Sequence, residues 1–467
     1  MSGLSFEWTN GGWPACQKVK RHLGSARLDR APKPIACAGV AQLVRALVCG
    51  TRGRWFKSTR LYQKNQTLRR RRQTDFSSGV TPRVTFQQRK RLPLRANPRR
   101  SADTAGVNSQ EILIVGGYGV VGQRIAAELA PDYPDRVVLG GRTLVRAEEV
   151  AKAIGHGVRG RRIDIAVPSS IAAALEGVVV VISCIDQPNR ALLWAAIERG
   201  LNYTDITPHL TELGRGAAYD KIDAAARASG AKVVLGTGLI PGISNVMVRA
   251  LADALDGVDE IETVLLLSAS DVSGPASFDY FLQELSMSFD IRVDGADRPA
   301  RAFSAPQLVE FPPPIGAQLA YLFPFSDQAL YPRTMGVRTA LTRLAIEPAW
   351  LAKIIAATVR TGASRLMAIE GVRHAIAWRR QDYPSRKDAR FALRVDVRGG
   401  GRSRRAILLG NAQADAAAAG AAGVARLLIE SDFVEPGGWM PEQIVDPAAF
   451  LSRLAKRGLE VKFLQGG

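Results

Sequence analysis

The chain has 467 residues, 46% of them hydrophobic, which is enough to bury the cores of two or three compact domains and excludes disorder throughout. A formal net charge of +20 would suggest nucleic acid or an anionic membrane as partner, but almost all of it lies in residues 1–108, where 23 lysines and arginines face four acids. Residues 109–467 carry 40 basic against 39 acidic side chains, so neither nucleic acid nor membrane is expected to bind the body of the protein.

Cys16, Cys37 and Cys49 lie in the basic segment, only Cys184 lies beyond it, and no CxxC pair occurs, so neither a disulfide framework nor a metal site is indicated. The apolar stretch from Val178 to Ile185 is far short of the roughly 20 residues that span a bilayer. The body reads as a soluble protein of a reducing, cytoplasmic compartment.

Residues 1–108 show no sustained periodicity, contain the tract Arg69-Arg70-Arg71-Arg72 and offer no apolar face to bury; they should not fold alone. Three readings compete: a nucleic-acid-binding tail, an Arg-rich organelle transit peptide, and sequence that is not part of the natural protein. The third is preferred, because Gly39 to Gln63 ("GVAQLVRALVCGTRGRWFKSTRLYQ") resembles the conceptual translation of a transfer-RNA gene. On that reading the start lies near Val107; a transit peptide is the second choice.

From Ile112 the pattern changes. Four apolar β-formers, Ile112 to Val115, predict a strand buried on both faces of a parallel sheet. After Gly116 and Gly117, the residues Val121, Ile125 and Leu129 recur at helical spacing and predict a helix with one buried stripe. Gly117-x-Gly119-x-x-Gly122 therefore falls at a strand-to-helix turn, the context in which this motif has mechanical meaning. Gly117 should permit the tight turn, Gly119 let the backbone approach a pyrophosphate, and Gly122 let helix and strand pack closely. Gly116, Gly117, Tyr118, Gly119, Val120, Val121 and Gly122 are thus expected to bind a dinucleotide. Further strands are predicted at Val137–Leu139, Ile163–Ile165, Val178–Cys184, Tyr203–Ile206 and Val233–Leu235, with helices such as Arg146–Ile154 and Ala191–Arg199 between them. This is a βαβ series, and it predicts a doubly wound α/β sheet with its ligand along the carboxyl edge.

NAD-binding folds place an acid at the end of the second strand to bond the ribose 2′-hydroxyl. Here the residues are Leu139-Gly140-Gly141-Arg142-Thr143, with no acid and an arginine directly after. A guanidinium holds a 2′-phosphate bidentately, so NADP is the expected cofactor, with Arg142 and Thr143 as contacts; the bland alternative makes Arg142 a solvated loop residue. Asp164, Cys184 and Gln187, at the ends of the third and fourth strands, complete the expected contacts. For Cys184 the preferred reading is a small core residue rather than a contact.

The chain from about Gln110 to Asp253 resembles the NADP-binding domain of the saccharopine dehydrogenase family, in "ILIVGGYGVVGQRIAAEL", "VVLGGRT", "VVVVISCIDQPN", "GLNYTDIT" and "VVLGTGLIPGISN". A looser likeness continues through "YLFPFSDQALYPRTMGV" and "PGGWMPEQIVDPAAFLSRLAKRG". The resemblance implies an NADP-dependent oxidoreductase with a Rossmann domain, then a mixed α/β domain that supplies substrate contacts and often a homodimer interface, and a chain end that returns to the first domain. The expected division is 1–108, a non-native or disordered extension; 109–253, the NADP-binding domain; 254–410, the mixed α/β substrate domain; and 411–467, a helical segment packing back on the first domain. Within it, Arg390 to Leu409 predicts a hairpin around Gly399-Gly400-Gly401, and Pro275–Phe289, Pro348–Val359 and Ala412–Leu428 predict helices. A last helix should have Asp446 as N-cap and Pro447 at its first position.

Family members of known activity reduce an imine formed between an amine and a carbonyl compound, or run the reverse, so the resemblance implies a small-molecule substrate and a proton donor beside the nicotinamide. Asp205 and His209 follow the fifth strand; Asp205 is either that donor or a loop cap, and His209, a residue type suited to proton transfer near neutrality, is either a second candidate or an ordinary exposed loop histidine. Asp327, Tyr331 and Arg333 crowd into "FPFSDQALYPRT" and suit either a substrate pocket or a structural loop network. A non-catalytic protein that binds NADP(H), and a partner or lipid through its second domain, is the competing class.

Overall fold

A computed structural model describes residues 110–187, 189–206, 217–271, 275–380, 389–430 and 434–465. The expectations for residues 1–108 and for His209 lie outside the described residues.

The first half of the chain alternates strands and helices: β1 (Glu111–Val115), α1 (Gly122–Leu129), β2 (Val137–Gly141), α2 (Leu144–Ile154), β3 (Arg159–Arg162), α3 (Pro168–Ala174), β4 (Val178–Ser183), α4 (Ala191–Glu198), β5 (Asn202–Asp205), α5 (Ala217–Ser229), β6 (Lys232–Val234) and α6 (Ile243–Ala252). The second half opens with β7 (Glu260–Ser268), α7 (Pro275–Glu284), β8 (Ser288–Val293), β9 (Ala296–Arg301), β10 (Ser304–Phe311), β11 (Gly316–Leu322), α8 (Asp327–Thr334) and β12 (Thr339–Glu347). It continues through α9 (Ala349–Arg360), a 3-10 turn (Ala363–Ala368), α10 (Glu370–Arg380), β13 (Arg390–Gly399), β14 (Arg402–Asn411), α11 (Gln413–Glu430), β15 (Gly437–Trp439), α12 (Pro441–Ile444), α13 (Pro447–Ala455) and β16 (Val461–Gln465).

The first sheet is parallel, in the order β15-β6-β5-β4-β1-β2-β3. Strand order reverses between β1 and β4, so the crevice at their carboxyl ends is where a doubly wound sheet binds its ligand. All five residues of β1 are buried, and Ile125, Ala126 and Leu129 of α1 are fully buried against the sheet. Each large apolar side chain sealed in this way stabilises by about 1.5–3 kcal/mol relative to exposure.

The third strand is displaced from its expected place: it is Arg159–Arg162, and Ile163 packs into the core just after it. A strand reading Arg-Gly-Arg-Arg carries no apolar signal. It is held by pairing with β2 and by Arg159 and Arg161, which pair with the buried Glu111 at 2.8 and 2.5 Å. The helix expected over Pro275–Phe289 stops at Glu284, because Ser288 and Phe289 open the β8–β9 hairpin.

The second sheet is mixed, in the order β10-β11-β12-β7-β13-β14-β16, with β8–β9 attached through β12. The hairpin expected from the three glycines is β13–β14, in register from Arg390↔Asn411 to Gly399↔Arg402. One apolar core runs from the α1 side of the first sheet to the inner face of the second, with Ile243, Val246, Met247 and Leu251 of α6 within it.

The chain end returns to the first sheet. Helix α11 lies along α1: Arg426 bonds Asp132 at 2.7 Å and the Glu128 carbonyl at 2.8 Å, and Tyr133 bonds Glu430. Its small residues permit close approach; a Cβ on Gly420 would stand 2.7 Å from the Gly238 carbonyl. Asp446 caps α13 by accepting from the Ala448 and Ala449 amides, with Pro447 at the first position. The sequence does not announce β15, which extends the first sheet beside β6, or β16, which closes the edge of the second.

Candidate dinucleotide and substrate site

The turn after β1 is built from backbone bonds. The Gly116 and Gly117 amides donate to the Gly140 carbonyl at 2.9 and 3.1 Å, and the Gly119 amide donates to the Gly116 carbonyl at 2.9 Å. The left-handed residue is Gly116 (φ +81°), not Gly117 as the motif suggests. Gly117 is glycine for a different reason: a Cβ there would stand 2.8 Å from the Ile114 carbonyl and 2.9 Å from Leu139. At Gly122 a Cβ would meet the Gly116 carbonyl at 2.4 Å, so helix and turn touch through backbone. Gly119 is exposed and would meet only one atom within 4 Å, the Gly116 carbonyl at 3.0 Å.

Val120 and Val121 carry the turn into α1, which starts with no side-chain cap and no acid in its first turn. The Gln123 and Ile125 amides donate to the Gly119 and Val121 carbonyls at 3.1 and 2.9 Å, whereas the Gly122 and Arg124 amides have no backbone acceptor among the described residues and suit an anion. This open, acid-free turn fits the pyrophosphate of a dinucleotide. Arg124, which the motif did not single out, donates to the Val120 carbonyl at 2.6 Å and pairs with Asp415 of α11, tying the turn to the returning helix.

At the end of β2, Arg142 is exposed and makes no ion pair or hydrogen bond with a described residue. Thr143 precedes α2 and its hydroxyl makes no cap bond. Asp164 closes its own turn, with Oδ1 accepting from the Ala166 amide at 3.0 Å.

Past β4, the Cys184 amide donates to the Val115 carbonyl at 2.8 Å. Burial, with the Asp205 charge, pushes its thiol up to about 12, so at neutral pH it stays a protonated packing group. Gln187 is committed to architecture: Nε2 donates to Tyr203 Oη at 2.8 Å and Ser183 Oγ at 3.0 Å, while Oε1 accepts from the Leu192 amide at 3.0 Å. Tyr203 donates to Asp205 Oδ2 at 3.3 Å, and Asp205 Oδ1 accepts from the Gly236 amide at 2.9 Å. Asp205 thereby ties together the ends of β5 and β6.

The three residues of "FPFSDQALYPRT" do not gather into one pocket. Arg333 turns outward to pair with Asp220 and lie over the Tyr219 ring, 4.9 Å from its centroid. Asp327 and Tyr331 face inward and are sealed between the two sheets, 0% and 1% exposed. Asp327 Oδ1 accepts from Thr342 Oγ1 at 2.8 Å and the Gln328 amide at 2.9 Å, yet burial pushes the carboxyl up to about 7. Burial also raises Glu442, which accepts from Asn245 Nδ2 at 2.8 Å and Thr334 Oγ1 at 2.5 Å. Asp327 Oδ2 and the hydroxyls of Tyr331 and Thr263 are buried in the same cluster without a well-formed hydrogen bond. A separate cleft between α1, α11 and the second sheet contains Arg124, Arg390 and Arg457, paired with Asp415, Glu347 and Glu128; no glycine-turn residue lines it.

A doubly wound sheet with an open glycine turn at its switch point marks a dinucleotide-binding domain. Residues 112–234 match the family model "Saccharopine dehydrogenase NADP binding domain". These residues therefore form an NADP-binding domain of the saccharopine dehydrogenase type, about a quarter of the chain, and NADP is its cofactor. In fold it is similar to apo histidine-tagged saccharopine dehydrogenase (L-Glu forming) from Saccharomyces cerevisiae, at 14% identity over 76% of this chain and 100% of that one, with a TM-score of 0.57. More distant likenesses are the amine dehydrogenase of Mycobacterium smegmatis (11% identity, 72% of this chain and 98% of that one, TM-score 0.42) and the C. glutamicum DAP dehydrogenase in complex with DAP (15%, 76% and 100%, TM-score 0.39). No helix among the described residues is long and apolar enough to cross a membrane.

Proposed function

We propose that the protein moves a hydride between NADP(H) and an amino-acid-derived imine or carbonyl compound, with residues 109–253 holding the cofactor and 254–410 contributing to the substrate side. The observation that carries this reading is the open Gly119 turn at the uncapped start of α1, beside an acid-free β2 end where Arg142 has no ion pair or hydrogen bond among the described residues. When bound, the nicotinamide supplies or accepts the hydride.

The chain's own residues bind and orient. The first amides of α1 hold the pyrophosphate charge, and Arg142 and Thr143 grip the 2′-phosphate. Gln187, Tyr203 and Asp205 fix the ends of β4 and β5 that form the floor of the site. Burial keeps the Tyr203 phenol protonated, so it serves as a donor within that floor. Asp205, held by Tyr203 and Gly236, is assigned a positioning role, and His209, shortly after it in sequence, is assigned the proton transfer. Asp327 and Tyr331 are assigned to the junction between the sheets, because both are closed off from solvent.

The test is turnover. Purified protein is offered NADPH with pairs of 2-oxo acids and amines or amino acids, and NADP with secondary amino acids, while the near-ultraviolet absorbance of the reduced nicotinamide is followed. Turnover that His209→Gln slows sharply, with NADPH affinity unchanged, is the expected result. Tight NADPH binding without turnover of any pair would instead favour the non-catalytic class.

A further inference from the structure

The carboxyl ends of β2 and β3 place more positive charge around the expected 2′-phosphate position than Arg142 alone. Parallel register sets Arg162, the last residue of β3, beside Gly141, the last of β2. Side chains alternate along a strand. Arg161 points to the Glu111 face, where it also donates to the Ala174 carbonyl at 3.0 Å, so Arg162 lies on the opposite face, shared with Gly141 and α2. Arg162 is exposed and makes no ion pair or hydrogen bond with a described residue.

The same face is shaped by Tyr118 of the glycine turn. Its ring fills the place where a side chain at Gly141 would stand: a Cβ there would come within 2.1 Å of Tyr118 Cε1. Arg146, in the first turn of α2, stacks its guanidinium over that ring at 5.2 Å from the centroid. A cation on an aromatic face is held in place yet keeps its N–H donors at the edge for a second partner. Of the nearby acids, Asp164 caps its own turn, and the stem of Glu148 stands over Gly160 of β3 on the same face, with no ion pair to Arg162 among the described residues.

We infer that Arg162, and Arg146 seated on Tyr118, act with Arg142 as specificity-determining residues that surround the 2′-phosphate of the cofactor from β3, α2 and the β2 end, with Tyr118 as the positioning platform. This rests on the NADP reading and adds to it the residues that enforce the choice. Three guanidinia converging on one site repel each other until a dianion neutralises them, so the group that fits is a phosphate monoester rather than a hydroxyl.

The experiment measures equilibrium binding of NADPH, NADH, adenosine 2′,5′-bisphosphate and AMP to the full chain, using calorimetry at two salt concentrations, for wild type, Arg162→Ala, Arg162→Lys, Arg146→Ala, Tyr118→Leu and the Tyr118→Leu/Arg146→Ala double variant. Arg162→Ala should weaken NADPH and the bisphosphate by roughly ten- to a hundredfold, leave NADH and AMP unchanged, and flatten the salt dependence of NADPH binding; Arg162→Lys should recover part of the loss. Tyr118→Leu should lower NADPH affinity about as much as Arg146→Ala, and the double variant should lose little more than either single one. Because Arg162 is exposed, unchanged melting temperature is expected and separates binding from folding. A wild type that binds NADH as tightly as NADPH would overturn the NADP reading itself. A wild type that prefers NADPH, with the preference undiminished in Arg162→Ala, would leave that reading standing and overturn this inference, as would additive losses in the Tyr118/Arg146 pair for the platform.

Discussion

Gly122→Ala tests the central geometric claim, that the first helix touches the glycine turn backbone to backbone. Gly122 opens α1 without a left-handed φ, so alanine is conformationally acceptable and should by itself stabilise by about 0.4–1 kcal/mol through the unfolded chain. Against this, its Cβ would stand 2.4 Å from the Gly116 carbonyl and 2.9 Å from Gly117 Cα, where ordinary contact begins at 3.4 Å. Neither neighbour is a side chain that can swing away, so α1 must retreat by about 1 Å, an overpacking cost of roughly 1–3 kcal/mol or more. The net loss lowers the melting temperature by several degrees, at about 2–4 °C per kcal/mol for a protein of this size. Cofactor affinity falls further than stability does, because the same shift moves the first-turn amides away from the phosphate position. Thermal unfolding and NADPH titration of Gly122→Ala, beside Gly119→Ala, whose Cβ meets only one atom at 3.0 Å, make the comparison. A Gly122→Ala protein that melts higher than wild type and binds NADPH equally well would refute the packing argument.

Arg142→Ala should weaken NADPH roughly ten- to a hundredfold and leave NADH unchanged, the equivalent of one charge-assisted contact of about 1.5–3 kcal/mol; titration of both cofactors decides it. The buried Asp327 gives a pH signature of definite sign. Its folded pKa is raised to about 7 from an ordinary carboxylate value near 4, so its contribution is fully present below about pH 4 and is lost as pH rises toward about 7. Melting temperature should therefore fall over that window, and Asp327→Asn should flatten the fall while keeping an oxygen for Thr342 and Gln328; an unchanged pH profile in the variant would contradict the assignment. Arg426→Ala removes the guanidinium that joins α11 to Glu128 and Asp132, and chemical denaturation should show a loss of about 1–3 kcal/mol, with NADPH affinity lowered as α11 loosens from α1.

What the sequence determined by itself is whatever was encoded locally. The apolar run of β1, the stripe Val121–Ile125–Leu129, the glycine-punctuated hairpin β13–β14 and the Asp446-Pro447 start of α13 each carry their signal within a few residues, and each stands where the pattern puts it. The acid-free end of β2 was equally legible, since the relevant residues are consecutive.

What only the tertiary structure decided depends on partners far away in the chain. Arg-Gly-Arg-Arg becomes β3 because β2 offers a free edge and Glu111 a buried counter-charge; Gly437-Gly438-Trp439 becomes β15 because it reaches β6 about 200 residues earlier. Gly141 is glycine because Tyr118 fills its side-chain space, a requirement invisible in "VVLGGRT". Asp327, Tyr331 and Arg333, neighbours on one helix, part company because α8 is wedged between two sheets: its inner face is sealed while Arg333 meets solvent, Asp220 and Tyr219. Sequence spacing fixes which residues share a helix, but burial, charge pairing and strand register are set by surfaces that meet only when the chain has folded.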